Sequence, residues 1–307
     1  MKIGMVGLGK MGANMTRRLI EKGHEVVGFD LGEEARNAVA AFGAETASSL
    51  EELASKLSSP KVAWVMVPSG PPTAKCVETL GSLFEKGDLI IDGGNSNYKD
   101  AEPYASSVAP KGVHFVDAGT SGGVWGLANG YCLMVGGSKE AVAIAEPIFL
   151  ALAPEGGYAH VGPLGAGHFV KMVHNGIEYG LMEAYAEGFE IMSKADEFGL
   201  DLHEIASIWR YGSVVRSWLL ELAEIALAPG SGFEEIEPFV VDSGEGRWTL
   251  DAALERDVSA PVIAASLFRR YESRERNSYG LRMLAALRNQ FGGHAVVRSD
   301  DPGAAPK

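Results

Sequence analysis

Three observations in the sequence predict an α/β fold, a doubly wound and mainly parallel sheet followed by an all-helical domain. Short β-branched-rich runs alternate with helical stretches of about 10 to 15 residues in the first half of the chain. Glycines, 39 in all and well above the usual 7% or so, gather immediately after those runs. From Gly165 onward the pattern turns helical, with no strand-like run except the ambiguous PFVVDS at 238 to 243. Alternation implies a parallel sheet because each right-handed crossover returns the chain to the same sheet, with helices covering both faces.

The expected strands, in order, are KIGMVG (2 to 7), HEVVGFD (24 to 30), KVAWVMV (61 to 67), DLIID (88 to 92) and VHFVDA (113 to 118). Ser49 followed by Glu52 has the spacing of a capping box and marks the start of one intervening helix. His168 to Phe198 reads as one long helix without a proline, ending at Gly199, and further helices are expected at 201 to 228, 250 to 256 and 259 to 291. The expected organisation is therefore a sheet domain over 1–163 and a helical domain over 164–296 that begins with the long helix. A small, polar, proline-bearing tail over 297–307 is expected to be disordered.

A length of 307 residues fits two domains, and 46% hydrophobic with 22% charged residues is the balance of an ordinary globular protein. The formal charge of -13 disfavours nucleic acid and anionic lipid as partners. No apolar run reaches the roughly 18 residues that span a bilayer, and glycines and Lys10 interrupt the start where a signal peptide would be apolar, so a cytoplasmic protein is expected. Cys76 and Cys132 form neither a disulfide framework nor a metal pattern; both read as buried fillers, and no metal is expected.

Gly7, Gly9 and Gly12 form G-x-G-x-x-G between the first strand and a helix. The first allows a tight turn, the second lets backbone approach a pyrophosphate, and the third lets helix and strand pack, as in a Rossmann-type dinucleotide site. Asp30, 18 residues after Gly12, ends the second strand where a carboxylate accepts from an adenosine ribose. Its charge would repel a 2'-phosphate and Leu31 cannot hold one, so NAD is favoured over NADP. A βα turn without ligand is the alternative. The residues expected to contact the dinucleotide are Gly7, Leu8, Gly9, Met11, Gly12, Asp30, Val67 and Asn95.

Loops after three further strands, VPSGPPT (67 to 73), DGGN (92 to 95) and AGTSGG (118 to 123), would share one crevice at the carboxyl edge of the sheet. Ser121, Gly122 and Gly123 could bind a carboxylate and Asn95 a hydroxyl; taken singly, each is equally an ordinary turn residue. On the long helix, at about 100° per residue, His174 lies near -60°, Asn175 near +40° and Glu178 near -20° from Lys171, so one stripe carries all four. Gly176, Gly180 and Gly188 each cost that helix about 1 kcal/mol, which implies close packing of another backbone. The alternative is a solvated charged face. Later, DSGEGRWT, LFRRYESR and LRNQFGGH supply Arg247, Thr249, Arg270, Arg288 and His294; with Tyr179 these would suit a phosphate, though each arginine read alone is a surface or ion-pairing residue.

The stretches GLGKMGANM, DGGNSNY, AGTSGGVWG, GHFVKMVHNGIEYG, DSGEGRWT, LFRRYESR and RNQFGGH, in this order from Lys2 to His294, resemble 6-phosphogluconate dehydrogenase of the β-hydroxyacid dehydrogenase superfamily. The resemblance implies Lys171 as general base and Glu178 as general acid, with His174 and Asn175 beside them. It implies that Asn95, Ser121, Gly122, Gly123, His174 and Asn175 hold the sugar acid. Tyr179, Arg247, Thr249, Arg270 and Arg288 would hold the phosphate. Arg288 and His294 reach a neighbouring subunit's site in that family, which implies a homo-oligomer, dimer or tetramer.

Only one copy of the large helical region is present, as in the short, bacterial-type form. Val124 stands where the long form has Glu, and Asp30–Leu31 where it has an Asn-Arg pair. The implied reaction is NAD-dependent oxidation and decarboxylation of 6-phosphogluconate to ribulose 5-phosphate, the chemistry of the pentose phosphate pathway and gluconate utilization. A dehydrogenase of another 3-hydroxy acid and a noncatalytic NAD-binding sensor are the rival readings.

Overall fold

The structure is a computed structural model describing residues 1–275, 277–292 and 295–297. His294 and, apart from Val297, the tail expected to be disordered lie outside the described residues.

Eight strands form one sheet: β1 (Lys2–Val6), β2 (Glu25–Phe29), β3 (Glu45–Ala47), β4 (Val62–Val65), β5 (Leu89–Asp92), β6 (His114–Ser121), β7 (Cys132–Gly136) and β8 (Tyr158–Gly162). Their order is β3-β2-β1-β4-β5-β6-β7-β8. Every neighbouring pair is parallel except β6 with β7. The order reverses between β1 and β4, which opens a crevice at the carboxyl edge there. The sheet region also carries α1 (Lys10–Glu21), α2 (Glu33–Ala40), α3 (Leu50–Lys56), α4 (Pro71–Leu83), α5 (Ala101–Val108), α6 (Gly126–Asn129) and α7 (Lys139–Leu152). After β8 come α8 (Ala166–Ser193), α9 (Leu202–Trp209), α10 (Trp218–Leu227), α11 (Glu245–Leu254), α12 (Pro261–Glu272) and α13 (Tyr279–Gly292).

Strand periodicity makes the sheet double-faced. Ile3 and Met5 of β1 pack with Met15 and Leu19 of α1 and Ile148 and Phe149 of α7, while Val6 packs with Leu53 of α3 and Val77 and Leu80 of α4. Each such side chain contributes about 1.5–3 kcal/mol by leaving water. The capping box is present in altered form: Ser49 accepts from the Glu52 amide at 3.1 Å, but the Glu52 carboxylate accepts from the amide of Ser48 rather than of Ser49, at 2.7 Å.

Several expectations need correction. β3, β7 and β8 were not among the expected strands. Residues 201 to 228 form two helices, because the chain turns at Gly212 with φ +72. The long helix stops at Ser193, and Gly199 closes a separate 3-10 turn, Asp196–Phe198, in the left-handed conformation. PFVVDS is irregular. Cys132 is exposed and Cys76 half-buried, since Cys132 opens β7 at the rim of the sheet before its buried residues begin.

The chain forms two compact units: Met1–Glu178 with Gly244–Ser259, and Tyr179–Ser243 with the residues from Ala260. α8 thus contributes to both units, its first turns packing on β6. The second unit holds α9, α10, α12 and α13 with the rest of α8; Phe189 packs on Trp209 at 5.8 Å and Arg210 pairs with Glu224. Among the described residues no helix is long and apolar enough to cross a membrane.

Candidate active site

At the crevice, Gly7 has φ +93, and a Cβ there would lie 2.4 Å from the carbonyl oxygen of Met66; a Cβ on Gly12 would lie 2.0 Å from that of Gly7. A Cβ on Gly9 would meet nothing within 4 Å. Gly9 is the N-cap of α1 and makes no side-chain cap bond, so open space lies over uncapped helix amides, which is what a pyrophosphate needs. Asp30 Oδ2 accepts from the Leu8 amide and Oδ1 from the Gly32 amide, each at 2.8 Å. Each oxygen keeps a lone pair for a ribose hydroxyl. The Leu8 side chain is buried and Met11 packs against the core, so the loop offers mainly backbone. Leu31 is 92% exposed. Arg36, which the sequence reading did not single out, donates Nη1 to the carbonyls of Asp30 at 2.6 Å and Leu31 at 3.1 Å. Val67 is half-buried after β4, and Asn95 is exposed after β5.

The start of α8 is fixed from the sheet. Asp117 of β6 accepts from the amides of Gly165 at 2.7 Å and His168 at 2.8 Å, capping the helix with a carboxylate from another element. His168 Nε2 lies 3.2 Å from Asp92 Oδ2 of β5, and both side chains are buried. Burial alone would push the His168 imidazole down, but Asp92, with Asp117 and Asp100, overrides it and holds the imidazole above its ordinary value. Burial likewise would raise the Asp92 carboxyl, and His168 with the Ser96 and Gly94 donors holds it below the usual range. A Cβ on Gly119 of β6 would lie 2.4 Å from Lys171 Cβ, so only glycine lets α8 set Lys171 directly on the strand.

One turn beyond His168 the predicted stripe assembles. Lys171 Nζ donates to Asn175 Oδ1 at 2.5 Å and lies 3.5 Å from His174 Nδ1. His174 Nδ1 also faces Asn175 Oδ1 at 3.0 Å. Because Oδ1 can only accept, Nδ1 carries the proton, and Nε2 is free to accept from Ser121 Oγ at 3.4 Å. Glu178 lies 3.9 Å from His174. Burial pushes the half-buried Lys171 amine below the ordinary lysine value, against the opposing pull of Glu178, Glu245 and Cys132. Gly122 and Gly123, with φ +130 and +51, turn the chain after β6.

The residues expected around a phosphate are differently disposed. The Arg270 guanidinium stacks 3.4 Å from the ring centroid of buried Tyr179, whose hydroxyl accepts from the Ser243 amide at 3.4 Å. Thr249 is buried, and its hydroxyl faces the carbonyls of Met172 at 2.9 Å and Glu245 at 2.8 Å. It therefore fastens α11 to α8. A Cβ on Gly176 would lie 2.7 Å from Thr249 Cγ2, so the neighbour that requires this glycine is a side chain rather than a backbone. Val262 stands 3.1 Å from a Cβ at Gly180, and nothing lies within 4 Å at Gly188, which overturns the packing expectation there. Arg247 on α11 and Arg288 on α13 are exposed.

Sequence reasoning missed Asp92, Asp117 and His168, and it missed Glu245. Glu245 is buried, and its Oε1 accepts from Asn175 Nδ2 at 3.2 Å. The available signal was its place four residues before Thr249, one turn earlier on the same helix face.

A glycine turn at a helix N-terminus with a carboxylate just after β2, together with a half-buried lysine on α8 whose burial lowers its pKa, defines an NAD(P)-binding oxidoreductase of the dehydrogenase class. Residues 2–162 match the NAD binding domain of 6-phosphogluconate dehydrogenase, and residues 167–283 match the 6-phosphogluconate dehydrogenase C-terminal domain. The chain belongs to the 6-phosphogluconate dehydrogenase family. YqeC of Bacillus subtilis (strain 168), provisionally named a 6-phosphogluconate dehydrogenase, is 45% identical over 298 residues, 97% of this chain and 100% of that one. The NAD(+)-dependent, decarboxylating 6-phosphogluconate dehydrogenase of Haloferax volcanii is 41% identical over 304 residues, 98% of this chain and 100% of that one. The structure of Plasmodium falciparum 6-phosphogluconate dehydrogenase, studied with NADP+ and with 6-phosphogluconate, aligns with TM-score 0.81 at 28% identity, over 98% of this chain and 67% of that one.

Proposed function

We propose that the protein oxidises 6-phospho-D-gluconate with NAD and decarboxylates it to D-ribulose 5-phosphate and CO2. The observation that carries this reading is Lys171, seated against Gly119 of β6, held at 2.5 Å by Asn175 and with its pKa lowered by burial. Neutral Lys171 takes the proton of the C3 hydroxyl. The glycine loop and Asp30 would hold NAD, which would supply the acceptor for the hydride from C3. The resulting 3-keto acid releases its carboxylate as CO2, and the electron pair moves into an enediol whose C3 oxygen is polarised by the now protonated Lys171. Glu178 then delivers a proton to the carbon that lost the carboxylate, C2 of the substrate and C1 of the ribulose product. His174, Asn175, Ser121, Gly122, Gly123 and Asn95 hold the sugar acid, while Tyr179 with Arg270, and Arg247 and Arg288, take the phosphate. Thr249 serves the packing of α11 on α8.

The preference for NAD over NADP is supported by the Asp30 carboxylate and by Leu31, which offers no phosphate partner. Self-association is supported by α13, where Tyr279, Leu281, Leu284 and Leu287 are 68%, 69%, 58% and 55% exposed. His294, assigned by resemblance to a neighbouring subunit's site, lies outside the described residues.

The deciding experiment measures NAD reduction together with CO2 release on 6-phosphogluconate. Equal amounts of both are expected. Faster oxidation of a nonphosphorylated 3-hydroxy acid would select a different substrate, and NAD binding without turnover would select a sensor.

A further inference from the structure

We propose that Glu245 is a positioning residue that fixes the amide of Asn175, and through it the hydrogen-bonding direction of Lys171 and His174. The inference rests on the proposed role of Lys171 and deepens it.

Asn175 offers two unlike ends. Its Oδ1 can only accept and meets Lys171 Nζ and His174 Nδ1, while its Nδ2 can only donate and meets Glu245 Oε1 at 3.2 Å. A charged lysine would by itself hold Oδ1 toward it. A neutral lysine would not, because its lone pair could equally accept from Nδ2 of a flipped amide. That flip would occupy the lone pair a base needs, and it would turn a donor toward His174 Nδ1. A carboxylate presents only acceptors, so with Glu245 as the neighbour the flip would set Oδ1 against carboxylate oxygens and is opposed. With the amide held, the neutral amine donates one hydrogen to Oδ1 and keeps its lone pair for the substrate hydroxyl. His174 keeps its proton on Nδ1, and Nε2 stays an acceptor toward Ser121 or a sugar hydroxyl.

The burial and surroundings of Glu245 fit this role. It is 2% exposed, and its second oxygen, Oε2, is buried with no hydrogen-bond partner. A buried carboxylate so incompletely satisfied is costly as a mere packing residue. Thr249, one turn further along α11, binds the Met172 carbonyl and so fixes Glu245 against α8.

The titratable groups acting on the Lys171 amine are His174 and Glu178 on its own helix, Glu245 on α11 and Cys132 on β7. Burial lowers the amine most; Glu245, after Glu178, favours the charged amine and so contributes to the pH at which the base is formed.

The test compares Glu245→Gln, which keeps the shape and an acceptor but removes the charge, with Glu245→Leu, which removes both. In the unliganded full chain, the Lys171 side-chain resonance, assigned with Lys171→Arg, is titrated by NMR. Both variants are expected to titrate at lower pH, by on the order of 0.5 unit or more. With 6-phosphogluconate, the acidic limb of kcat/KM should move the same way in Glu245→Gln. Glu245→Leu, with Nδ2 unpaired, should lose about tenfold more kcat than Glu245→Gln. An unmoved Lys171 titration in either variant overturns the proposal, as does a Leu variant with wild-type kcat. If Glu245→Leu does not fold, the Gln variant decides by its titration and its pH limb. Should the wild type fail to oxidise 6-phosphogluconate, the proposed reaction falls, while the resonance read without substrate still decides the role of Glu245.

Discussion

The amide oxygen of Asn175 lies 2.5 Å from the amine of Lys171 one helical turn before it, so the proposed base is oriented by its own helix. Lys171→Ala removes the group whose amine burial has lowered, and loss of a general base costs about 10² to 10⁴ in rate. The expected result is that NAD and 6-phosphogluconate still bind, by calorimetry, while single-turnover hydride transfer falls by that factor. A folded variant with near-normal transfer would remove Lys171 from the mechanism.

Gly119→Ala tests the seat of that lysine. The added Cβ would lie 2.4 Å from Lys171 Cβ and 2.7 Å from the Gly167 carbonyl oxygen, neither of which is a flexible tip. Overpacking of this kind costs about 1–3 kcal/mol. Thermal unfolding should report a lowered Tm and kinetics a lowered kcat; an unchanged pair of values would mean that α8 yields without consequence.

Cofactor choice depends on Asp30 and Leu31. Two unit charges 4 Å apart repel by roughly 4 kcal/mol at an effective dielectric of about 20, less after rearrangement, so NAD should be preferred in kcat/KM by at least about tenfold. Asp30→Asn with Leu31→Arg should shift the ratio toward NADP. Arg36 is held by two carbonyls beside this position, and it would be drawn to the added phosphate in the double variant. A wild type that prefers NADP would refute the assignment.

Arg270→Ala should weaken 6-phosphogluconate far more than gluconate, because only the former gives the guanidinium a phosphate. A charge-assisted contact worth about 1.5–3 kcal/mol corresponds to a loss of roughly 10- to 150-fold in kcat/KM. Equal losses on both substrates would indicate that the arginine serves only to stack on Tyr179.

The buried His168–Asp92 pair predicts a pH dependence of stability. The His168 imidazole is raised in the folded protein, so its contribution is complete below the unfolded value near 6.5 and is lost as pH rises through the folded value. Asp92 is lowered, so its contribution is present above the unfolded value near 3.8 and is lost as pH falls through its folded value. Stability should therefore decline on both sides of a window. In His168→Gln the alkaline decline should shrink, as read by Tm against pH; a variant with the wild-type alkaline slope would transfer the effect to another group.

The parts legible in the sequence are those with a local signal. β1, β4 and β5 read clearly because strands buried on both faces are continuous apolar runs, and the stripe from Lys171 to Glu178 read clearly because a helix repeats every 3.6 residues. β3 is three residues, ETA, without an apolar pattern, and β8 is a largely exposed edge, YAHVG, so neither carried a signal. Asp92, Asp117 and Glu245 were missed for another reason. Each acts on a residue 76, 51 or 70 positions away, and no periodicity along the chain tells which face of β5, β6 or α11 meets α8.

The division of the chain between Glu178 and Tyr179 has an evolutionary consequence. Asp30, Ser121, Lys171, His174, Asn175, Glu178 and Glu245 all belong to one compact unit, whereas Tyr179, Arg270 and Arg288 belong to the other. On the proposed reading, the apparatus for redox and proton chemistry can stay fixed while the second unit drifts toward acids with other distal groups. Arg247, on α11, is the proposed phosphate residue carried by the first unit, so a chain that changes its substrate by this route has one charge left behind to replace.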